Sequence, residues 1–423
     1  MPHTRDTRLR RDVAWNLVPV VLLGAVGLGL NFLIAAWWGA AALGVFNIVT
    51  ITFFVFSVLG ACGIQFSVLR AVAAHVEDRG EVASIVVGAL IPNVLLAAAA
   101  TGLYLVVRGP IAELQGSHAV AEGMAWAAPG LFCFAINKVL FGIANGLRRM
   151  RAFAVYTSLR YILIGSGLFI AHGVGLMPAH LPVIWSFAEG TLLLVMIVEL
   201  VATVSLSRGA RWRPWLREHL GYGTRGVTAT LMQEINAKLD VWMLGAAGVG
   251  KEIIGVYSLA AALNEGATQF SVVVQNNLNP IIARELAEHR TEEVVQLAGR
   301  TRRWFVPSMA AACTLGALAY PIVVPRLVGD STFAAGTMPF AVLMAGLALA
   351  SPYLAFNQIL LMASKPGWYT LFITLVVAIN FVANLLLIPH FGPLGAACAT
   401  ATAVIASAVL TRRFARSRVG VRI

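Results

Sequence analysis

Four ionisable residues, Arg225, Glu234, Lys238 and Asp240, lie within a mostly apolar stretch running from Gly221 to Tyr257. Such groups cost about 2.5–3.5 kcal/mol each at the centre of a bilayer on insertion scales, so they are expected to face protein or a watery cavity. On a regular helix, Arg225, Gln233, Asn236 and Asp240 share one face. Glu234 and Lys238 lie on another, spaced i, i+4 in the order that favours an ion pair. Two roles stay open for them: a self-neutralising structural pair, or charges lining a cavity. Downstream, Ser258, Glu265, Gln269 and Asn276 align as a second polar stripe. Lipid cannot satisfy such a stripe, so it is expected to face a cavity, with helix–helix hydrogen bonding as the alternative.

The first half of the chain supplies Lys138 and Arg160. Each sits roughly 12–13 Å from the end of its span by the helical rise, deep enough to meet in one layer. Glu199 is expected at similar depth, as the partner of either in a structural cluster, and Glu189 nearer the opposite side. A cationic layer would suit a phosphate, to which arginine offers a planar fork and lysine a point charge.

These residues need long helices to hold them. Hydrophobic residues make up 59% of the 423 and charged residues 12%, against roughly 25% charge in soluble domains. Repeated apolar runs have the length of about 20 residues that a helix needs to cross a bilayer. The chain is therefore expected to be an all-α polytopic membrane protein of twelve transmembrane helices. Among the expected spans are 13–38, 43–69, 121–146, 152–174, 182–206, 221–245 and 252–282. Alternate connections hold 24 Lys and Arg on one side and 3 on the other, which predicts that both termini are cytoplasmic. The net charge of +12 is thus a topology signal, not a mark of nucleic-acid binding, and anionic membrane lipid is a second partner the basic loops suit. Cys62, Cys133, Cys313 and Cys398 fall in apolar runs without metal-ligand or disulfide spacing, so no metal site is expected.

The expected organisation is an N-lobe of six spans at 1–206, a cytoplasmic linker at 207–220 and a C-lobe of six spans at 221–423. Gly44-Val45-Phe46 and Gly255-Val256-Tyr257 open corresponding spans at an offset of 211 residues. That match suggests a parallel repeat, with a substrate cavity between its lobes. No Walker loop, H-E-x-x-H or nucleophile elbow occurs, and no loop is long enough for a catalytic domain. Transport without a cofactor, not catalysis, is expected.

Five segments carry a family resemblance. Leu239–Gly245, Ile254–Glu265 and Asn276–His289 together resemble the second-lobe pattern of Wzx-type polysaccharide exporters, members of the multidrug/oligosaccharidyl-lipid/polysaccharide (MOP) exporter superfamily. Gly392–Ala403 is similar to the twelfth-helix pattern, and Gly146–Leu163 to the junction of helices four and five. The resemblance implies a two-lobed, MATE-like bundle in the inner (cytoplasmic) membrane that works by alternating access. It implies an undecaprenyl-diphosphate-linked oligosaccharide as substrate, with Lys138, Arg160, Arg225 and Lys238 as cavity cations. Asp240 and Glu265 match acidic or polar family positions that bind a coupling cation or carry a proton. Gln269, Asn276, Glu234 and Glu199 complete the expected polar lining, and polysaccharide-assembly enzymes are implied partners. Span one lacks the acidic residue common in cation-coupled drug exporters, and twelve spans rather than fourteen weigh against a lipid II flippase of the MurJ type.

A flippase for a lipid-linked envelope precursor is therefore the leading expectation. A cation-coupled antiporter for organic cations, with Asp240, Glu265 or Glu234 as the acidic site, is the alternative. A membrane glycosyltransferase is a third class.

Overall fold

The computed structural model describes residues 3–204 and 211–423; side chains are described from residue 26 onward, except at 205–210, 224–226, 228, 229, 233 and 237. In chain order the helices are α1 (His3–Ala61), α2 (Ile64–Ala74), α3 (Arg79–Leu114), α4 (His118–Gly146), α5 (Met150–Gly173), α6 (Val183–Thr203) and α7 (Trp212–Ala246). They continue with α8 (Lys251–Ala287), α9 (Thr291–Val328), α10 (Thr337–Leu354), α11 (Ile359–Met362), α12 (Pro366–Phe391) and α13 (Pro393–Phe414). No strand interrupts them among the described residues, as expected where lipid offers the backbone no hydrogen bonds.

Nine segments among the described residues are long and apolar enough to cross a membrane. Helices α7 and α8 are not among them, because their charged and amide side chains dilute the apolar run. The first of the nine, Val26–Ala61, contains Gly39 at φ 84°, ψ 173°, a conformation open essentially to glycine alone, so the helix is broken there. The run expected at 43–69 ends early, at Ala61, where Cys62 and Gly63 both turn left-handed before α2 begins.

Two compact units emerge, one of Met1–Leu30 with Val45–Ile235, the other of Asn31–Gly44 with Asn236–Ile423. The first unit is built on α4, which packs against α2, α3 and α6. Ile64, Val68, Ala83, Val86, Ala135 and Val139 are buried together there. Asn93 of α3 donates across this core to the Gly60 carbonyl at 3.1 Å. The stretch 212–220, expected to be linker, is helix continuous with α7 and docks on the same unit. Trp215 Nε1 donates to Glu81 at 2.7 Å, and fully buried His219 lies between Ser67 Oγ at 2.8 Å and the Ile85 carbonyl at 3.3 Å. A carbonyl can only accept, so Nε2–H donates to it, and in the neutral tautomer Nδ1 accepts from the serine. Burial lowers the pKa of this imidazole, in keeping with that state.

In the second unit α13 packs against α10 and α12, and α9 against α10. The unit also contains a reciprocal contact between α1 and α8. A Cβ on Gly44 would stand 2.2 Å from the Lys251 carbonyl oxygen, and one on Gly255 1.8 Å from that of Ala40. The two glycines flagged by the sequence offset therefore meet, each against the backbone equivalent to the other's. Small residues let membrane helices approach this closely, and packing replaces the hydrophobic drive absent in lipid.

Gly255→Leu is expected to push α1 and α8 apart and lower the Tm of the purified chain. Gly173→Leu, at a glycine with nothing within 4 Å of its Cβ position, is expected to leave the Tm within a degree or two of the parent. Thermal-shift assays in detergent compare the two directly.

Candidate functional site

The first unit brings Lys138 and Arg160 together as the sequence suggests. Lys138 Nζ lies 4.9 Å and the Arg160 guanidinium carbon 4.8 Å from the ring centroid of Phe134. A second ring, Phe141, lies 4.7 Å from Arg160. Cations held over aromatic faces keep part of their electrostatic compensation without a counter-anion. Lys138 donates to Ser57 Oγ at 2.9 Å, and Glu234, Arg160 and Glu189 are the charged groups whose fields reach it.

The anion of this cluster is Glu189, not Glu199. Glu189 is fully buried, and Arg160 reaches it with Nη2 donating to Oε2 at 2.9 Å and Nε 2.7 Å from Oε1. The second approach is an ion contact whose angle falls short of a hydrogen bond. Asn137, next to Lys138 on α4, donates to Oε2 at 2.9 Å and to the Glu189 carbonyl at 3.0 Å. Glu199 lies ten residues on, about 15 Å further along α6, and accepts from Arg149 Nη1 at 2.6 Å near the helix end. Placement by span boundary set Glu199 too deep, and it took no account of how far an arginine side chain extends.

In the second unit α7 is not the regular helix that the wheel requires. Lys238 has φ −138°, ψ 18°, which interrupts the i, i+4 geometry expected between Glu234 and Lys238. Lys238 instead takes Glu265 of α8 as its ion partner at 2.7 Å. Asp240, only 7% exposed, turns toward α8 and α13. Its Oδ2 accepts from the Tyr257 hydroxyl and, at 3.3 Å, from Thr400 Oγ1. Its Oδ1 accepts from the Val241 amide at 2.8 Å. Asn236 belongs to a separate amide chain: Asn384 Nδ2 donates to Asn380 Oδ1 at 2.9 Å, and Asn380 Nδ2 to Asn236 Oδ1 at 3.1 Å. Arg225 and Gln233 lie outside the described side chains.

The stripe on α8 changes environment along its length. Ser258 is buried near the tight contact at Gly255, whereas Glu265, Gln269 and Asn276 are exposed on the surface of their unit. A wheel projects all four onto one line but carries no information about where a 37-residue helix leaves its neighbours. The sequence reading missed Phe134, Ser57 and Asn137 in the first unit, and Tyr257, Thr400, Asn380 and Asn384 in the second. The asparagines carried a usable signal, since two amides spaced i, i+4 in an apolar span need a partner.

No protein-family model matches the chain. Its sequence is 21% identical over 420 residues to the probable low-salt glycan biosynthesis flippase Agl15 of Haloferax volcanii, spanning 97% of this chain and 85% of that protein. Its fold is similar to lipid II flippase MurJ in an inward closed conformation, with a TM-score of 0.76 and 16% identity over 96% of this chain and 88% of that one. It is also similar to an inward-facing multidrug resistance MATE family transporter of the MOP superfamily, at TM-score 0.74 and 13% identity over 97% and 98% of the two chains. The expected MATE-like helical architecture is thus observed. Although twelve spans are expected where a MurJ-type flippase has fourteen, the fold is as similar to that of MurJ as to that of the MATE transporter.

Glu189→Ala leaves Arg160 and Asn137 facing an apolar interior. Breaking a buried ion pair from one side costs about 3–5 kcal/mol, so the variant is expected to lose most of its folded yield after membrane extraction. Glu189→Ala combined with Arg160→Met is expected to recover part of it. Fluorescence-detected size-exclusion chromatography measures both.

Proposed function

We propose that this chain is a member of the MOP exporter superfamily and flips a lipid-linked oligosaccharide across the cytoplasmic membrane. The observation that carries the reading is the pairing of two deep cations, Lys138 and Arg160, over one aromatic ring, with Glu189 as the buried carboxylate bound to Arg160. Arg160 is held in place by that carboxylate, and Lys138, hydrogen-bonded to a neutral serine with the field of Glu234 reaching it, is the cation that meets an incoming diphosphate. A sugar–diphosphate head cannot enter hydrocarbon unaided, and a preformed basic layer lowers that barrier. The glycan flippase Agl15, similar along nearly the whole chain, supports the same class of substrate.

The substrate is of the undecaprenyl-diphosphate type and moves by alternating access between an N-lobe and a C-lobe. Division of Val26–Ala61 at Gly39, with α7 and α8 added to the nine apolar segments, makes twelve spans. Both termini are cytoplasmic by the placement of Lys and Arg. Asp240 receives the coupling cation or proton, and polysaccharide-assembly enzymes supply and use the substrate. The reaction is translocation without covalent chemistry. An organic-cation antiporter remains the alternative, supported only by the MATE likeness of fold.

Lys138→Ala is expected to abolish surface glycan in a host lacking the parental gene while the protein is still inserted at parental level, and Lys138→Arg to retain part of it. Normal glycan from a well-expressed Lys138→Ala chain would overturn the head-group role. Changed drug susceptibility with unaltered glycan would favour the antiporter.

A further inference from the structure

A cavity of about 220 Å³ opens at the end of the second unit where α7 closes and α8 begins. That volume exceeds several times the roughly 30 Å³ share of one water in the liquid. Its walls include Glu252, Val256 and Tyr257 of α8, Thr332 and Ala335 ahead of α10, and Pro393 at the start of α13. Tyr257 is therefore a wall of the cavity and, through its hydroxyl, a ligand of Asp240. The other hydroxyl on that carboxylate, Thr400, belongs to the helix that Pro393 opens.

Depth favours this end as the way in. Asp240 lies six residues from the end of α7 at Ala246, about 9 Å by the helical rise. Thr400 lies seven residues from Pro393, about 10 Å. Glu252, exposed at the mouth, precedes Tyr257 by little more than one turn and would concentrate cations there. The other titratable groups near the carboxylate are Lys238 with its ion partner Glu265 and, beside Tyr257, Cys398 of α13.

We propose that the small cation or proton taken up by Asp240 enters through this cavity, attracted at the mouth by Glu252 and gated by the Tyr257 ring. The inference rests on the coupling role assigned to Asp240 and adds the route, the gate and the side of entry. A swing of the ring opens the path and withdraws the hydroxyl from Oδ2; the arriving cation then meets the charge that the hydroxyl had stabilised. Val256, Tyr257 and Pro393 give the cavity apolar walls beyond Glu252, so an ion crossing it would shed part of its hydration.

The test uses the full chain in lipid vesicles, with charge-displacement currents recorded on a Na⁺ jump at constant pH and on a pH jump at constant Na⁺. The jump that evokes the current distinguishes the metal ion from the proton. In a background with the four native cysteines replaced by alanine, Ala335→Cys is expected to carry the parental current until a bulky thiol reagent is attached. Labelling should then reduce the current about tenfold or more, equivalent to at least about 1.4 kcal/mol on the entry barrier. The same reagent on Leu349→Cys, at a site 69% exposed on α10, should leave the current intact. Asp240→Asn should abolish it. An unchanged current after labelling at 335, with Asp240→Asn still inactive, would overturn the route and spare the coupling role. Full current from Asp240→Asn, or no current from the parent on either jump, would overturn the coupling role and the route with it.

Discussion

Inside hydrocarbon every polar group must find its complement within the chain, because no water stands ready to replace a missing partner. That requirement decides more of this structure than any single packing contact. Glu189 exists as a buried carboxylate because Arg160 and Asn137 reach it from two neighbouring helices. Asp240 is buried because three hydroxyl or amide donors converge on it. Lys238 finds Glu265 across to α8. Each polar residue therefore ties down helices that apolar surface alone would leave free to slide, since lipid tails are as apolar as leucine. The two polar clusters that carry the proposed function are also what fixes the helices of their own units.

The clusters differ in character. That of the first unit is cationic and aromatic, with two positive groups against Phe134 and one carboxylate bound to the arginine. That of the second is anionic and hydroxylic, with a carboxylate held by neutral donors. A diphosphate suits the former and a small cation the latter. The proposed division of labour between head-group binding and ion coupling rests on this difference in chemistry.

Much of this was legible in the sequence, and the reasons it failed elsewhere are physical. Composition and run length announced a helical membrane protein because hydrocarbon thickness sets a length that few other constraints mimic. The Gly44 and Gly255 motifs were legible because a close backbone approach tolerates only the smallest residue, leaving a mark at both places. Lys138 and Arg160 were found because charge is rare in such spans. Their partner was misassigned, since depth counted from an uncertain helix end carries an error of a turn or more, and Glu189 and Glu199 are under three turns apart. The wheel on α7 failed for another reason: one residue outside helical geometry, Lys238, rotates all that follows. A periodic projection assumes continuity and has no means of detecting its loss. Tyr257 and Thr400 escaped notice because a hydroxyl in an apolar run costs little and so looks unremarkable until its carboxylate partner is seen.

The chain of amides from Asn384 through Asn380 to Asn236 has a consequence of its own. Amides do not titrate, so this link between α12 and α7 keeps the same strength whatever the proton concentration on either face of the membrane. It is also directional: each carboxamide offers its NH₂ to the next oxygen, so reversing one amide would oppose like poles and disturb its neighbour. The second unit thus contains a fastener indifferent to acidity beside a carboxylate whose charge a cation or proton can change. Such a pairing lets one position respond while the frame around it stays set.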